Sequence, residues 1–243
     1  MPSPILLVHG AFHTGECWSL LEPHLAARGF EVHALTLGGH RGNPRPAGSV
    51  SMTSYGEDVI AAAEAIGRPC LLVGHSMGGL VISQAAERRP DLFSAMVYVT
   101  AFAPAPGESN SRDAAPISQK MMAAMAAGMK MLPDGTAEFP AEGAKAVFYN
   151  CCPPQIQDQA AAGLSPQPMT GGADSVRTTE AGLGGVPKHY IECTLDEALP
   201  IESQRAMQAN MAFRSIQTLE TDHSPFLSMP EALADALARA AQA

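Results

Sequence analysis

The sequence lacks any apolar run long enough to cross a bilayer, which takes about twenty consecutive apolar residues as a helix. No membrane partner is expected. A basic stripe is missing too, and the net charge is −9. A nucleic-acid partner is therefore excluded from the reading, since phosphate contacts need clustered lysine and arginine. Charged residues are only 16% of the chain and apolar ones 46%, which argues against disorder. Repeats and linkers are absent, and no signal-peptide pattern precedes the first strand. Cysteine is scarce and odd in number, at five, and no Cys/His group has the spacing of a metal site. Cys70 and Cys193 fall in apolar strand patterns, so reduced, mostly buried thiols in the cytoplasm are expected. A length of 243 residues fits one large α/β domain with a proper core.

What is present centres on Leu71-Leu72-Val73-Gly74-His75-Ser76-Met77-Gly78-Gly79-Leu80. An apolar run ends at Gly74, and a helical pattern starts after Ser76. The form G-x-S-x-G, between a buried strand and a helix, is a nucleophile elbow. A turn this tight strains the serine and leaves no room for side chains at Gly74 and Gly78. The reading starts the helix at the serine, so its unpaired N–H groups face charge that develops there.

Around the elbow the chain alternates. Ile5 to Val8 reads as a strand buried on both faces. A helix is predicted over Trp18 to Arg28, stopped by Gly29. A strand over Phe30 to Leu37 and a surface loop over Gly38 to Val50 follow. Ser54 is the expected cap of a helix reaching Gly67. Pro69 starts the elbow strand, and Ala95 to Thr100 is another. Strand-helix alternation implies parallel pairing with crossovers. More than eighty residues then separate Thr100 from the strand Lys188 to Cys193, too many for a simple loop. Residues 103–186 are read as a cap inserted within the domain. Its helical pieces lie at about Ile117 to Lys130, Glu142 to Tyr149 and Pro154 to Leu164. The stripe Met121, Met122, Met125, Met129 suits a packed helix face or an adaptable apolar pocket. A helix from Ile201, a strand over Arg214 to Leu219 and a helix from Pro230 complete the alternation.

A serine hydroxyl needs a base to become a nucleophile. Of eight histidines, His223 is the candidate, because it follows the last strand and satisfies the order Ser, acid, His. His75 sits inside the elbow and cannot turn back on its neighbour. His9 and His13 are expected to shape their loop through hydrogen bonds. His24, His33 and His40 read as surface residues. The acid that orients the base is expected to be Asp196, three residues past a strand end, with Glu197 as the alternative. Asp222 is adjacent to His223 and badly placed for the contact. Asp196 could instead cap the helix that follows. An oxyanion needs backbone donors: the amide of Met77, and one from the loop after the first strand, Ala11 or alternatively Phe12.

The segments His9-Gly10-Ala11-Phe12-His13 with Trp18, Gly74 to Gly79, Thr100-Ala101-Phe102-Ala103-Pro104, Asp196-Glu197 through Gln204-Arg205, and Asp222 to Phe226 carry a resemblance. The chain resembles the α/β-hydrolase superfamily, and within it the plant methyl esterases and hydroxynitrile lyases with their bacterial esterase relatives. The resemblance weakens through the cap. It implies Ser76, Asp196 and His223 as a triad, Ala11 and Met77 as oxyanion donors, and no cofactor. The lyases carry lysine directly after the catalytic histidine and threonine after the first-strand histidine. Here those positions are Ser224 and Gly10, so a carboxylesterase acting on small or medium, largely apolar esters is expected. Lyase use of the same residues, and a binding protein that has lost turnover, are the alternatives. The partner is a small-molecule ester, and a homodimer remains open.

Overall fold

A computed structural model describes residues 3–105, 107–110, 116–169, 175–209 and 211–243. The chain begins with β1 (Ser3–Val8), α1 (Glu22–Ala27), β2 (Phe30–Leu35), α2 (Met52–Ile66), β3 (Cys70–His75), α3 (Gly78–Arg88) and β4 (Phe93–Val99). A run of shorter elements follows, in the stretch expected to be the cap, with β5 (Gly107–Asn110), α4 (Gln119–Gly128), β6 (Lys130–Met131), β7 (Thr136–Glu138), α5 (Ala141–Val147), α6 (Pro154–Ala162), β8 (Gln167–Pro168) and β9 (Ser175–Thr178). It returns through β10 (Lys188–Cys193), α7 (Ile201–Gln208), β11 (Ser215–Leu219), α8 (Pro225–Ser228) and α9 (Pro230–Gln242).

The main sheet has the order β11-β10-β4-β3-β1-β2, and its pairings are parallel. Side chains alternate faces along a strand. Leu6, Val8 and Leu72 pack with Tyr55, Val59, Leu80 and Ala85 of α2 and α3. Ile5, Leu7, Leu71 and Val73 pack with Trp18, Leu25, Leu233 and Leu237 on the other face. Burial on both faces is why β1 and β3 read as unbroken apolar runs. The register sets Val8 beside Gly74, His75 beside Val99, and Val99 beside Ile191. The strands therefore end nearly abreast, and the loops that follow them start from one rim.

Several boundaries differ from the sequence reading, for local reasons. The first helical stretch is a 3-10 turn, Gly15–Trp18, and then α1 with Pro23 in its opening positions. Proline fits there and not in a helix interior. The cap of α2 is Ser51, not Ser54. The Ser54 amide donates to Ser51 Oγ at 3.0 Å and the Ser51 amide to Ser54 Oγ at 2.9 Å, a reciprocal capping box. Helix α3 begins at Gly78, with Met77 as its cap, and not at the serine.

Helices α4, α5 and α6 match the three pieces expected in the insertion. The short strands were not expected: β6-β7-β8 and β5-β9 form two small antiparallel sheets. Two to four residues per strand are too few to show a period. Within the expected 103–186 insertion, residues 106, 111–115 and 170–174 lie outside the described residues. Met121, Met125 and Met129 pack on a cap core built around Phe139, Phe148 and Tyr149, while Met122 is half exposed. Among the described residues, no helix is long and apolar enough to cross a membrane.

Candidate active site

Ser76 follows β3 directly and holds φ at +52°, a left-handed conformation that costs an ordinary residue about 1–2 kcal/mol. A helix cannot continue through such a residue, so α3 waits until Gly78. The turn is closed by backbone contact: a Cβ on Gly78 would lie 2.7 Å from the Val8 carbonyl oxygen and 2.8 Å from that of His9. The Ser76 carbonyl accepts from the Gly79 and Phe102 amides, each at 3.0 Å. The half-buried serine is thus gripped by strand ends on both sides.

His223 stands in the loop after β11, with its side chain almost wholly buried. Its Nδ1 lies 2.6 Å from Asp196 Oδ2. Asp196 stands in the loop after β10. Its Oδ1 accepts the Ala198 and Leu199 amides at 2.7 and 2.8 Å, and the Thr100 hydroxyl donates a short bond to Oδ2. Capping and orienting, alternatives in the sequence, are both present. Glu197 is half-buried, and its side chain turns outward to pair with Lys120 at 3.3 Å. Asp222 is buried but turned elsewhere: it accepts from the Ser224 amide (3.0 Å), the Ser228 hydroxyl (2.8 Å) and the Cys151 amide (2.8 Å).

Ser76 and His223 line one cavity of about 90 Å³, together with Ala11, Met77, Phe102 and Phe148. Among the described residues, the Ser76 hydroxyl makes no hydrogen bond to His223. Such contacts are often loose before substrate arrives. His13 also lines the cavity; the rest of the lining is apolar, with Ile117, Met121 and Leu199, and among the described residues it contains no lysine or arginine. Ser224, next to His223, is fully buried. Among the described residues no group of histidine, cysteine, aspartate or glutamate could hold a metal ion.

The loop after β1 separates its two candidate donors. The Phe12 amide donates to Gln167 Oε1 at 3.0 Å, so it is occupied. The amides of Ala11 and Met77 meet no acceptor among the described residues. His9 and His13 shape this loop as expected. His9 Nε2 accepts the Leu37 amide at 3.0 Å, which places the proton on Nδ1, donating to the Gly10 carbonyl at 2.8 Å. His13 Nδ1 donates to the Ala11 carbonyl at 2.7 Å, and its Nε2 accepts from the Tyr149 hydroxyl at 2.8 Å. Burial pushes the pKa of His9 well down and that of His13 down to about 4.

One histidine departs from the sequence reading, and another makes a contact that the reading did not include. His40, expected at the surface, is buried beneath β8, with Nε2 3.0 Å from Gln167 Oε1. Burial lowers its pKa. His75 cannot act as the base, yet its Nε2 donates to the His223 carbonyl at 2.7 Å and its ring lies 4.7 Å from that of His223. Burial, then the neighbouring His223, lowers its pKa strongly. Thr100 and Gln167 were missed altogether. Thr100, a polar residue ending an apolar strand, had a signal that could have been used. Gln167 had none.

The comparisons agree with this architecture. The family model described as "Alpha/beta hydrolase family" matches residues 5–236. A pyrethroid hydrolase of Sphingobium wenxiniae is 32% identical, over 98% of this chain and 88% of that protein. Methylesterase 2 of Arabidopsis thaliana is 30% identical, over 96% and 93%. The crystal structure of a pyrethroid hydrolase from Sphingobium faniae superposes with a TM-score of 0.84 at 29% identity, covering 99% of this chain and 98% of that one. The chain therefore belongs to the α/β-hydrolase family, among relatives that are ester hydrolases of plants and bacteria.

Proposed function

We propose that this ester hydrolase is a serine carboxylesterase for small to medium, largely apolar esters, working through an acyl-enzyme without a cofactor. The observation that carries the reading is the buried His223–Asp196 contact of 2.6 Å opening onto the cavity that also holds Ser76.

In this reading Asp196 accepts the Nδ1–H of His223 and so keeps Nε2 free as a base. Ser76 Oγ attacks the ester carbonyl carbon as Nε2 takes its proton. The carbonyl oxygen becomes an oxyanion, held by the Ala11 and Met77 amides, each typically worth about 3–4 kcal/mol of barrier. The intermediate collapses, the carbon–oxygen bond to the leaving group breaks, and His223 returns the proton to the departing alcohol. Water then attacks the acyl carbon by the same route, giving the acid and free Ser76. The apolar lining of Phe102, Ile117, Met121, Phe148 and Leu199 suits an apolar acyl or alcohol group and offers no fixed charge to a polar one. The five cysteines are free thiols, which suits a reducing compartment such as the cytoplasm.

Ser76→Ala tests the reading. Turnover of p-nitrophenyl butyrate should fall by about 10⁶, as when a serine nucleophile is removed, with the melting temperature held. Turnover near the wild-type rate in that variant would refute it.

A further inference from the structure

Phe12 holds φ at +63° without being glycine, and both of its backbone polar groups are bonded to the cap. Its amide donates to Gln167 Oε1 at 3.0 Å, and its carbonyl accepts from the Ser165 amide at 2.8 Å. Gln167 is nearly fully buried and is itself anchored. Its Nε2 donates to the Tyr55 hydroxyl at 3.3 Å and to the Pro168 carbonyl at 3.2 Å, and His40 Nε2 meets the same Oε1 at 3.0 Å. Ser165 is anchored as well, since its hydroxyl accepts the Arg41 amide at 2.8 Å. A strained residue persists only where its surroundings over-determine it, and here the surroundings are a cap strand 155 residues away in sequence.

We infer that Gln167 is a positioning residue: by holding the Phe12 amide it fixes the loop so that the neighbouring Ala11 amide faces the cavity. The inference rests on the proposed oxyanion role of Ala11. The cap then completes the reacting centre as well as covering it. Without an acceptor at this place the Phe12 N–H would be buried and unpaired. The residue would relax out of the left-handed region, the Ala11–Phe12 peptide would turn with it, and the Gly10–Ala11 peptide, which carries the Ala11 N–H, would lose its fixed neighbour and shift. Ala11 would keep its place in the chain and lose its aim.

The test compares Gln167→Met, which keeps length and removes the acceptor, with Gln167→Glu, which keeps an oxygen there. On p-nitrophenyl butyrate, Gln167→Met should lower kcat at least about tenfold, up to the hundredfold or more that loss of one oxyanion donor costs, with KM within about twofold. Affinity for a trifluoromethyl ketone, which forms an oxyanion on Ser76, should fall by the same factor as kcat/KM. Gln167→Glu should recover most of both. Wild-type kcat in a folded Gln167→Met, or a fall in kcat with ketone affinity unchanged, would overturn the inference. Amide exchange in the wild-type protein decides the matter even if that variant misfolds. The Phe12 N–H should be strongly protected, and free exchange there would overturn the clamp. If Ser76→Ala stays active, the esterase reading fails. If Ser76→Ala is dead while Gln167→Met is normal, only the clamp fails.

Discussion

The elbow and the loop after β1 face the same cavity, and each holds a non-glycine residue at positive φ, Ser76 at 52° and Phe12 at 63°. They are held there by different means. At Ser76 the constraint is largely local: the ends of β3 and α3 bracket it within a few residues, and Gly78 lets the turn press on β1. At Phe12 the constraint comes from Ser165 and Gln167 in the cap. Strain held by neighbours in sequence leaves a motif. Strain held by a distant segment leaves only an ordinary-looking residue. One centre thus depends on both kinds of restraint, and they should fail differently when disturbed.

After loss of the nucleophile itself, the largest effect is expected at a long-range contact. Asp196→Asn should lower kcat by about 10⁴, since an amide favours the wrong tautomer of the base. Asn keeps an oxygen for the Ala198 and Leu199 amides, so the melting temperature should change little. Stopped assays on p-nitrophenyl butyrate beside thermal melts check both. A collapse of stability with the rate per folded molecule intact would move Asp196 to the structural side.

The buried histidines give the next effect, and they divide between the regions, His75 in the elbow and His9 and His13 in the loop. Each has a folded pKa below its unfolded value of about 6.5. The sign follows from proton counts. Above pH 6.5 both states are neutral and nothing changes. Below it the unfolded chain binds protons that the folded chain refuses, so stability falls as pH falls. For His13 the loss runs from about 6.5 to its folded value of about 4, and amounts to about 3 kcal/mol when complete. Urea unfolding between pH 7 and 4 should show it, with a shallower slope in His13→Gln. Equal slopes would remove His13 from the loop's restraints.

The smallest effect measures the strain directly. Glycine tolerates positive φ and alanine does not, so Ser76→Gly should be more stable than Ser76→Ala by about 1 kcal/mol. The pair Phe12→Gly and Phe12→Ala should differ by about the same amount, since both lose the ring packed 5.1 Å from Phe139. Chemical denaturation of the four variants gives the comparison. A Phe12 pair with no difference would mean that the loop relaxes where the elbow cannot.

Much of the molecule was legible in the sequence. The double-sided sheet shows in the unbroken runs Ile5 to Val8 and Leu71 to Val73. The elbow shows in Gly74, Ser76 and Gly78, and the places of Asp196 and His223 show in their short distances from strand ends. The cap helices could be read from their punctuation by proline and glycine. The cap strands could not, because so few residues per strand carry no period. His40 read as a surface residue because its loop is polar, and contacts with His9, Tyr55 and Gln167 from distant segments take it out of water. The sequence favoured Ala11 with Phe12 as the alternative, and nothing in it showed that Gln167 would occupy the Phe12 amide.

The sequence by itself determined the alternation of strands and helices outside the cap, the tight turn at Ser76 and the loops from which its partners come. Each of these follows from steric limits and apolar periods acting over a few neighbouring residues. Tertiary structure alone decided which acid meets His223, which amide of the first loop is free, and what holds Phe12. Those depend on hydrogen bonds between segments brought together only by burial of the core, and a local pattern carries no record of a partner 155 residues away.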